Sequence, residues 1–330
     1  MSFCNLAASI LGSLRTRETL PKDQTVASTG VDLHLHTTAS DGRWTPEGLV
    51  IRAVRLGIGV IAVTDHDTIA AIEPASTVGA DVGVTVIPAV EVTSNHGSHG
   101  LHGLHVLLYG TGIRRPTSPI RDMLATLEVL SHNRVVWFLE RLAARGTRLE
   151  ALPIPSDRVP RYRTCDRSRA LRRERRARMV PKFRDVAPYQ AQFADAPEAS
   201  LALAAVVATA HDAGAVAVLA HPGRSDDSTA ALSVDDLAHL LAELRRDGIE
   251  AHHPQQSPDH RDECIAFALT HRRLVTAGSD SQGPAKARQP FPHPASWVGN
   301  FLDRIQPASI PIAPSGVRRF VTDLPTSAIA

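Results

Sequence analysis

The sequence predicts a parallel α/β barrel, and two observations support this fold class. Short apolar runs rich in Val, Ile, Leu and Ala alternate with helical stretches through most of the 330 residues. Seven of these runs have the length and composition of buried strands, as in parallel sheets covered by helices. With 43% hydrophobic residues and only 4% aromatics, the chain can fill a core that is mainly aliphatic. Seven strands separated by helices suit a barrel.

The first four strands are predicted before residue 110. Between the first two, Thr45 is a suitable N-cap and Pro46 suits the first helical position, so a helix begins here. This helix is expected to run to about Leu56 and to end at Gly57. A second helix is expected over about 69–79. The four strands are predicted at 31–36, 60–64, 85–90 and 105–109.

The same alternation resumes after about residue 200. Glycines close two of the helical stretches in this half, Gly214 after the first and Gly248 after the second. The predicted helices are 199–213, 234–246 and 262–270, and the predicted strands are 215–220, 248–251 and 274–278.

Residues 111–198 interrupt the pattern and are predicted to form a mainly helical insertion, with one long helix over 120–145. Ten arginines lie between Arg158 and Arg178, and such a segment can contact a phosphate backbone. Because Tyr162 is the only stacking aromatic there, we favour a solvated basic segment. The expected organisation is an N-terminal extension (1–29), a barrel (30–110 and 199–285), the insertion (111–198) and a proline-rich, extended surface tail (286–330).

Composition excludes several classes of protein. The net charge of +2 indicates neither nucleic acid nor membrane as a partner. Cys4, Cys165 and Cys264 are far apart, which argues against a disulfide framework and a thiolate zinc site and fits a reducing cytosol. No apolar run approaches the roughly 20 residues of a membrane span. No positive residue precedes the short apolar run at 6–14, so we expect no signal peptide and a cytoplasmic protein.

The most informative stretch is 31–42, VDLHLHTTASDG. His34 and His36 alternate along a strand, so both side chains can reach one metal ion. Asp41 follows in a Ser-Asp-Gly turn and can reach the same area, and Asp32 shares the face of His34. Taken alone, the stretch is equally compatible with a strand that carries two surface histidines.

Residues of metal-binding type recur where the other predicted strands end. The carboxyl ends of parallel barrel strands form one face, so these side chains are expected to converge. With no cysteine among them, they favour Zn, Mn or Fe bound by imidazole and carboxylate, in a multinuclear hydrolytic site. The residues that follow strands are His66, Glu91, His221 and Asp280, whereas His105 opens its strand.

Five segments resemble the ordered motifs of the polymerase and histidinol phosphatase (PHP) family. They are DLHLHT…SDG (32–42), TDHDT (64–68), IPAVE (87–91), LAHPG (219–223) and GSD (278–280). The sequence is most similar to the small metal-dependent phosphoesterase branch, which includes nucleoside 3′,5′-bisphosphate phosphatases and 5′-to-3′ exoribonucleases. The resemblance covers about 30–110 and 200–285. It implies a distorted seven-stranded barrel with an inserted helical subdomain.

The resemblance also implies three divalent metal sites and a metal-bound hydroxide as the catalytic group. His105 is preferred over His102 as a ligand, because the family places a histidine at the start of the strand that follows the IPAVE-type motif. The implied ligands are His34, His36, Glu91 and Asp280 for one ion, Glu91, His105 and His221 for a second, and Asp41 and His66, with a histidine two residues after Asp280, for a third.

That last histidine is replaced by Gln282, whose amide oxygen is a far weaker ligand, so two ions and a weak or empty third site are expected. Arg134 matches a substrate-binding arginine of the family, whereas the family's second basic motif is missing. Asp65, Asp67 and Glu250 are candidates to orient ligands. Seven further histidines on predicted helices or loops are expected at the surface: His211, His239, His252, His253, His260, His271 and His293.

These features predict a metal-dependent phosphoesterase that acts on a phosphorylated small molecule or a short oligonucleotide. The expected substrate is a nucleotide 3′,5′-bisphosphate or the 5′ end of a short RNA. One alternative is another phosphatase of the family, such as a histidinol-phosphate phosphatase. The other is a degenerate, non-catalytic domain that binds metal or nucleic acid. No protein partner is implied.

Overall fold

A computed structural model describes residues 30–97, 101–144, 197–224, 231–244, 247–284 and 289–305 of the chain. Within them the strands are β1 (Gly30–Leu35), β2 (Ile58–Val63), β3 (Thr85–His96), β4 (Leu101–Tyr109), β5 (Leu201–Ala202), β6 (Val216–Leu219), β7 (Gly248–His252), β8 (Leu274–Ala277) and β9 (His293–Pro294). The helices are α1 (Pro46–Arg55), α2 (Ile72–Val82), α3 (Pro119–Ala144), α4 (Leu203–Asp212), α5 (Val234–Leu244), α6 (Pro258–Thr270) and α7 (Gly299–Ile305).

The strands of the described residues form one curved sheet in the order β8-β7-β6-β4-β3-β2-β1-β9, with β5 paired to β3. A bridge between Leu35 and Ser281 brings the two ends of the sheet together, so the barrel is nearly closed. All seven predicted strands are present as β1–β4 and β6–β8, which confirms the fold class. The short strands β5 and β9 were not predicted.

The prediction of an entirely parallel barrel is wrong at β4, which runs antiparallel to both β3 and β6. Only residues 97–100 separate β3 from β4. A parallel pair needs a crossover of a dozen or more residues, whereas an antiparallel pair needs only a short turn. The prediction for β3 is also wrong, because this strand continues beyond Glu91 to His96 instead of ending there.

Local signals fix where the helices begin. The Thr45 hydroxyl accepts a hydrogen bond from the Gly48 N–H (3.0 Å), so the predicted start of α1 is confirmed. Helix α6 begins at Pro258, four residues before its predicted start, because Ser257 caps it. Helix α2 begins at Ile72, three residues later than predicted.

The barrel interior is a buried cluster of aliphatic side chains that alternate along the strands. In β3, Ile87 and Ala89 face this interior, whereas Val90 belongs to the outer layer beneath the helices. Phe301 of α7 closes one end of the interior, edge-on to Tyr109 at 4.9 Å between ring centroids. The alternation that places Ile87 and Ala89 inside also directs Glu91 inward.

Residues 289–305 differ from the expected extended surface tail. Strand β9 pairs with the start of β1, and α7 follows it. Val298 and Phe301 are fully buried in the barrel interior. This segment is ordered because two apolar side chains at helical spacing, three residues apart, complete the core at the end where β1 begins.

The long helix predicted in the insertion is present as α3. Its first half is amphipathic, and Ile120, Leu124 and Leu127 pack in one cluster with Leu203 and Val206 of α4. The extension 1–29 and the basic segment 158–178 lie outside the described residues. Among the helices that are described, none is both long and apolar enough to cross a bilayer.

Candidate metal centre

Four side chains from distant parts of the chain converge where β1, β3 and β8 end their barrel segments. His34 Nε2 lies 3.1 Å from His36 Nε2 and 3.2 Å from Glu91 Oε2. His36 Nε2 lies 3.2 Å from the same Glu91 oxygen and 3.1 Å from Asp280 Oδ1, which is 3.7 Å from His34 Nε2. Two atoms that bind one ion with bonds near 2.1 Å lie roughly 3.0–3.6 Å apart. The spacing of these four atoms therefore suits one cation.

Glu91 also connects this group to a second one. Its Oε1 lies 2.9 Å from His105 Nδ1 and 3.1 Å from His221 Nε2, whereas its Oε2 lies 3.2 Å from His66 Nδ1. The two oxygens of one carboxylate thus face different sets of imidazoles. This arrangement is suited to bridging two metal ions. The side chain of His102, the alternative to His105, lies outside the described residues.

A third group lies at the edge of the cluster. Asp41 Oδ1 is 3.3 Å from His36 Nδ1, and ligand-type atoms of His36, Asp41 and His66 all lie within 4.8 Å of one another. The carbonyl of Gln282 accepts a hydrogen bond from the Arg43 N–H (2.9 Å), which places this residue beside the turn that carries Asp41. The structure therefore gathers all eight sequence-predicted ligands into one cluster.

The unsatisfied ring nitrogens of the cluster fit a bound cation. Among the described residues, Nδ1 of His36, His66 and His105 are buried and have no partner with hydrogen-bond geometry. Carboxylate oxygens nevertheless lie 2.9–3.3 Å away from each of them. Buried polar atoms are normally hydrogen-bonded. Nitrogen and oxygen atoms that converge without bonding one another are the donor set that Zn, Mn and Fe take.

Glu250 fixes the orientation of His34. Its two oxygens lie 3.0 and 3.1 Å from His34 Nδ1, and its Oε2 also accepts the backbone N–H of His221 at 2.9 Å. A proton on Nδ1 donated to this carboxylate leaves the Nε2 lone pair free for a metal. Gly278 allows the close packing, because a Cβ there would clash with His34 Cβ and Glu250 Oε1.

Two aspartates beside His66 anchor the surrounding chain. Asp65 accepts hydrogen bonds from the N–H and hydroxyl of Thr37 (2.8 and 2.7 Å) and from the Ser40 hydroxyl. Asp67 accepts the N–H and hydroxyl of Thr93 in β3 (2.8 and 3.1 Å). These carboxylates do not face the ligand cluster. They hold the two segments that carry ligands, the turn at residue 41 and strand β3.

Asp32 performs the same task for Asp280. It accepts the N–H and hydroxyl of Ser279 (2.9 and 2.7 Å) and the N–H of Phe291 (2.9 Å). Burial raises the pKa of Asp32 to about 7, although these hydrogen bonds oppose the rise. Asp32 therefore ties the start of the barrel to the turn that carries Asp280.

Three of the four described non-glycine residues with positive φ lie at the cluster, and the fourth is Arg272. Asp67, His221 and Asp280 have positive φ values of 44°, 31° and 49°. Side chains other than glycine rarely adopt this region, and such strain persists only where the surroundings enforce it. In these three residues the left-handed backbone turns the chain directly after a barrel strand or beside Glu91.

The pKa shifts in the cluster favour ionised carboxylates. They favour a charged ring for some of the imidazoles and a neutral ring for others. Burial alone would raise the pKa of Glu91, but the charges of His66, His34 and His105 hold it well below its usual value. For His34, burial is outweighed by Glu250 and Glu91, which raise the pKa of the ring. Burial lowers the pKa of His221 to about 4, so this ring is neutral and able to bind a cation at neutral pH.

The expectation that seven other histidines lie at the surface is wrong for three of them. His252, His253 and His293 are buried. His253 Nε2 lies 3.5 Å from Asp280 Oδ2, and Arg224 Nη1 approaches the same oxygen at 3.4 Å. The rule that located the other candidates, a metal-binding residue type just after a buried strand, also applies to His253 after β7.

Arg134 lies apart from the cluster, on α3. Its Nη1 is 3.9 Å from Glu198 Oε1, which accepts a hydrogen bond from the Ser200 hydroxyl at 2.6 Å. That hydroxyl in turn accepts from Asn95 Nδ2 at 2.7 Å. Asn95 is four residues beyond Glu91 in β3, so Arg134 is connected to the strand that carries the central carboxylate.

A barrel with clustered imidazoles and carboxylates at the strand ends defines a class, that of metal-dependent hydrolases. Comparison with known proteins narrows this class. Residues 32–136 match the model of the PHP domain. A 5′-3′ exoribonuclease (Rnm) of Salmonella typhimurium is 32% identical over 288 residues, covering 81% of this chain and 86% of the relative.

Two further proteins are similar over most of their length. A 3′,5′-nucleoside bisphosphate phosphatase of Chromobacterium violaceum is 28% identical over 277 residues, covering 80% of this chain and 90% of the relative. A solved structure from Bifidobacterium adolescentis, assigned as a metal-dependent phosphoesterase, has a TM-score of 0.65 and 26% identity, covering 84% and 97% of the two chains. The chain belongs to the PHP-domain family of metal-dependent phosphoesterases. It is a hydrolase that acts on phosphoric ester bonds.

Proposed function

We propose that this enzyme hydrolyses phosphate esters of nucleotides, either a 3′,5′-bisphosphate nucleotide or the 5′ end of a short RNA. The observation that carries the proposal is Glu91, whose two oxygens each face a separate group of imidazoles. The proposal is supported by two relatives, one named as a 5′-3′ exoribonuclease and the other as a 3′,5′-nucleoside bisphosphate phosphatase. The residues proposed to hold Mn, Zn or Fe ions are His34, His36, Asp41, His66, Glu91, His105, His221 and Asp280.

Exposure indicates the side from which substrate arrives. His34 and His36 are fully buried, whereas the side chains of Asp41 and His105 are 11% and 16% exposed. Asp280 is 10% exposed, so the cluster opens past Asp41, Asp280 and His105, with His34 and His36 at its base. The aliphatic barrel interior beneath it excludes water from the opposite side.

If divalent ions are bound by this cluster, they would supply an activated water molecule and would neutralise the charge that develops on the phosphoryl oxygens. The chain's own contribution is to hold the donor atoms in place. Glu250 orients His34, and Asp32 orients the turn of Asp280. Since Gln282 supplies only a weak ligand, we propose two firmly bound ions and a weak or empty third site.

We propose that Arg134 binds a second phosphate of the substrate. Asn95, which leads to Arg134 through Ser200 and Glu198, lies about 13 Å beyond Glu91 at the usual rise of a strand. Arg134 lies beyond Asn95, through Ser200 and Glu198, so it is suited to a phosphate that is not the one being hydrolysed. Arg134 is partly exposed, and its contact with Glu198 is long, at 3.9 Å.

The proposed activity is tested with purified protein supplied with Mn²⁺. A panel should contain adenosine 3′,5′-bisphosphate, 5′-phosphorylated short RNA, a phosphoribosyl cyclic phosphate and histidinol phosphate. We expect release of phosphate or 5′-nucleotide from the first two. A wild-type rate no higher than that of a variant with both His34→Ala and His36→Ala would exclude the proposal.

The role of Arg134 is tested separately by Arg134→Ala. We expect KM to rise for the bisphosphate and the RNA but not for p-nitrophenyl phosphate, which has a single phosphate. Arg121→Ala is the matched control, because Arg121 lies on the same helix about 20 Å away. Equal effects of the two substitutions, or an effect on the single-phosphate substrate, would rule out this role.

A further inference from the structure

The two carboxylate oxygens of Asp280 have different surroundings. Oδ1 faces the candidate ligands, 3.1 Å from His36 Nε2. Oδ2 faces away from them, 3.5 Å from His253 Nε2 and 3.4 Å from Arg224 Nη1. The first oxygen therefore lies among atoms that would bind a cation, and the second lies among hydrogen-bond donors.

The backbone determines which nitrogen of His253 carries the proton. The Gln255 N–H donates to His253 Nδ1 at 3.2 Å, so Nδ1 is the acceptor and the neutral ring is protonated at Nε2. Asp280 Oδ2 faces that Nε2 at 3.5 Å, the outer limit of a hydrogen bond, and within the described part of the chain Nε2 has no partner with full hydrogen-bond geometry. The side chain is 1% exposed, so a substrate cannot reach it.

We propose that His253 is a positioning residue that holds Asp280 with Oδ1 directed at the metal-binding atoms. The final torsion of an aspartate side chain is broad and nearly two-fold, so an unsupported carboxylate can rotate away from its ligand geometry. The ring of His253 is held by Gln255 and by burial, so Nε2 stays beside Oδ2, and the attraction between the Nε2–H and the carboxylate restrains that oxygen. This inference rests on the proposed role of Asp280 as a ligand.

Both His253 and Arg224 contact Asp280 Oδ2, but the His253 side chain is buried and the Arg224 side chain is not, so His253 is the better restraint. The Arg224 side chain is 24% exposed and long, so it can follow solvent and substrate. Burial alone would raise the pKa of Asp280, but His253 and His36 beside it hold the pKa well below the usual value. An ionised carboxylate with one oxygen restrained is a stronger and better-directed ligand than one that is free to turn.

Two substitutions separate the contacts of His253. In His253→Asn, the side-chain carbonyl reaches only as far as Nδ1 and can still accept from Gln255, but the donor to Asp280 is lost. In His253→Gln, the longer side chain can return an N–H to the position of Nε2. The readout is the stoichiometry and affinity of Mn²⁺, measured by equilibrium titration and by electron paramagnetic resonance. Thermal unfolding in chelator reports on the fold alone.

We expect His253→Asn to weaken the binding of one Mn²⁺ ion by roughly 10–100-fold, with an unchanged melting temperature in chelator. His253→Gln should remain close to wild type. His252→Asn is the matched control, because this adjacent buried histidine stacks on Trp297 at 4.2 Å. It should leave Mn²⁺ affinity unchanged.

A double-mutant cycle shows whether His253 acts through Asp280. In an Asp280→Ala background, His253→Asn should have no further effect on Mn²⁺ affinity. Wild-type affinity in His253→Asn, equal losses in the Asn and Gln variants, or a further loss without Asp280 would each overturn the inference. Failure of the wild-type chain to bind Mn²⁺ through His34 and His36 would instead overturn the proposed function.

Discussion

Two sides of the same cluster differ in how firmly their side chains are held. On the side of His34, the donors belong to barrel strands, and Glu250 fixes the imidazole through two short contacts. On the side of Asp41, the carboxylate belongs to a turn that is itself held by Asp65, and Gln282 stands where the family has a histidine. Affinity for a metal depends on the number of donors and on how well they are pre-positioned. The comparison predicts a graded centre, in which metal binds more firmly on the first side than on the second.

The largest effect should come from the carboxylate that the two sides share. Glu91→Gln removes the negative charge that faces imidazoles from both oxygens, so we expect loss of both firmly bound ions. Since ions at such a site stabilise the transition state by several kcal/mol, activity should fall by at least about 10³-fold at 1.36 kcal/mol per tenfold. Metal analysis and steady-state kinetics measure the two effects.

Glu73→Gln is the control for this substitution, because Glu73 pairs with Arg114 at the exposed surface. It should leave activity and metal content at wild-type levels. A Glu91→Gln protein that kept two ions would show that the cluster is not organised around this carboxylate.

A smaller effect should follow from a substitution that weakens metal binding on the side of His34 but leaves every ligand atom in place. Glu250→Gln keeps the shape but replaces the carboxylate that accepts from His34, so the imidazole becomes a poorer ligand. We expect metal affinity to fall by roughly 10–100-fold. Calorimetric titration with Mn²⁺ measures this change. Unaltered affinity would mean that the difference between the two sides does not arise from orientation of His34.

A histidine outside the cluster shows how burial alone changes the pKa of an imidazole that has no carboxylate of the described residues in contact with it. His293 packs beside Phe291 and Trp297, and burial lowers its pKa from 6.5 to about 4, with the charge of Glu250 opposing. Between these two pKa values the unfolded chain binds more protons than the folded chain, so the free energy of unfolding falls as the pH drops. By linkage the loss between pH 7 and pH 5 is about 2 kcal/mol.

His293→Gln removes this titration and is the comparison to measure. In chelator, urea unfolding at pH 7 and pH 5 should show a smaller loss for the variant than for the wild type, by about 2 kcal/mol. The same loss in both proteins would show that His293 titrates normally in the folded state.

The smallest effect should come from completing the weak side. Gln282→His places an imidazole beside the turn of Asp41, and we expect a third ion and a modest rise in rate. Asp41→Asn should then cost much more activity in the Gln282→His protein than in the wild type. An unchanged or lower rate in Gln282→His, with no third ion, would indicate an enzyme that works with two.

Prediction from sequence succeeded where the signal was local. The seven strands and the cap at Thr45 follow from short-range patterns, and strand-end residues such as His66 and His221 lie together because barrel strands end on one face. Their role as ligands stays a prediction. The antiparallel β4 was missed because the pattern ended β3 at residue 90 and began β4 at residue 105. That spacing left room for a crossover, whereas the actual four-residue connection does not.

The remaining misses have the same physical origin. The burial of Phe301 depends on a barrel interior built by residues far away in the sequence, so its own segment predicts only a surface tail. The histidine pair at the end of β7 was also misjudged. Alternation along β7 could have predicted that His252 and His253 point in opposite directions. That His253 is a buried partner of Asp280 depends on a turn almost thirty residues later in the chain.

The bridge between Leu35 and Ser281 has a consequence for motion as well as for shape. It joins the two ends of the sheet, together with the His36 N–H that donates to Ser281 O at 2.9 Å. His34 and His36 lie on one side of this junction and Asp280 on the other. A bound ion would therefore link the first and last strands of the barrel through its ligands. Opening of this junction would require release of the ion, so amide hydrogen exchange in β1 and β8 would slow as the metal concentration rises.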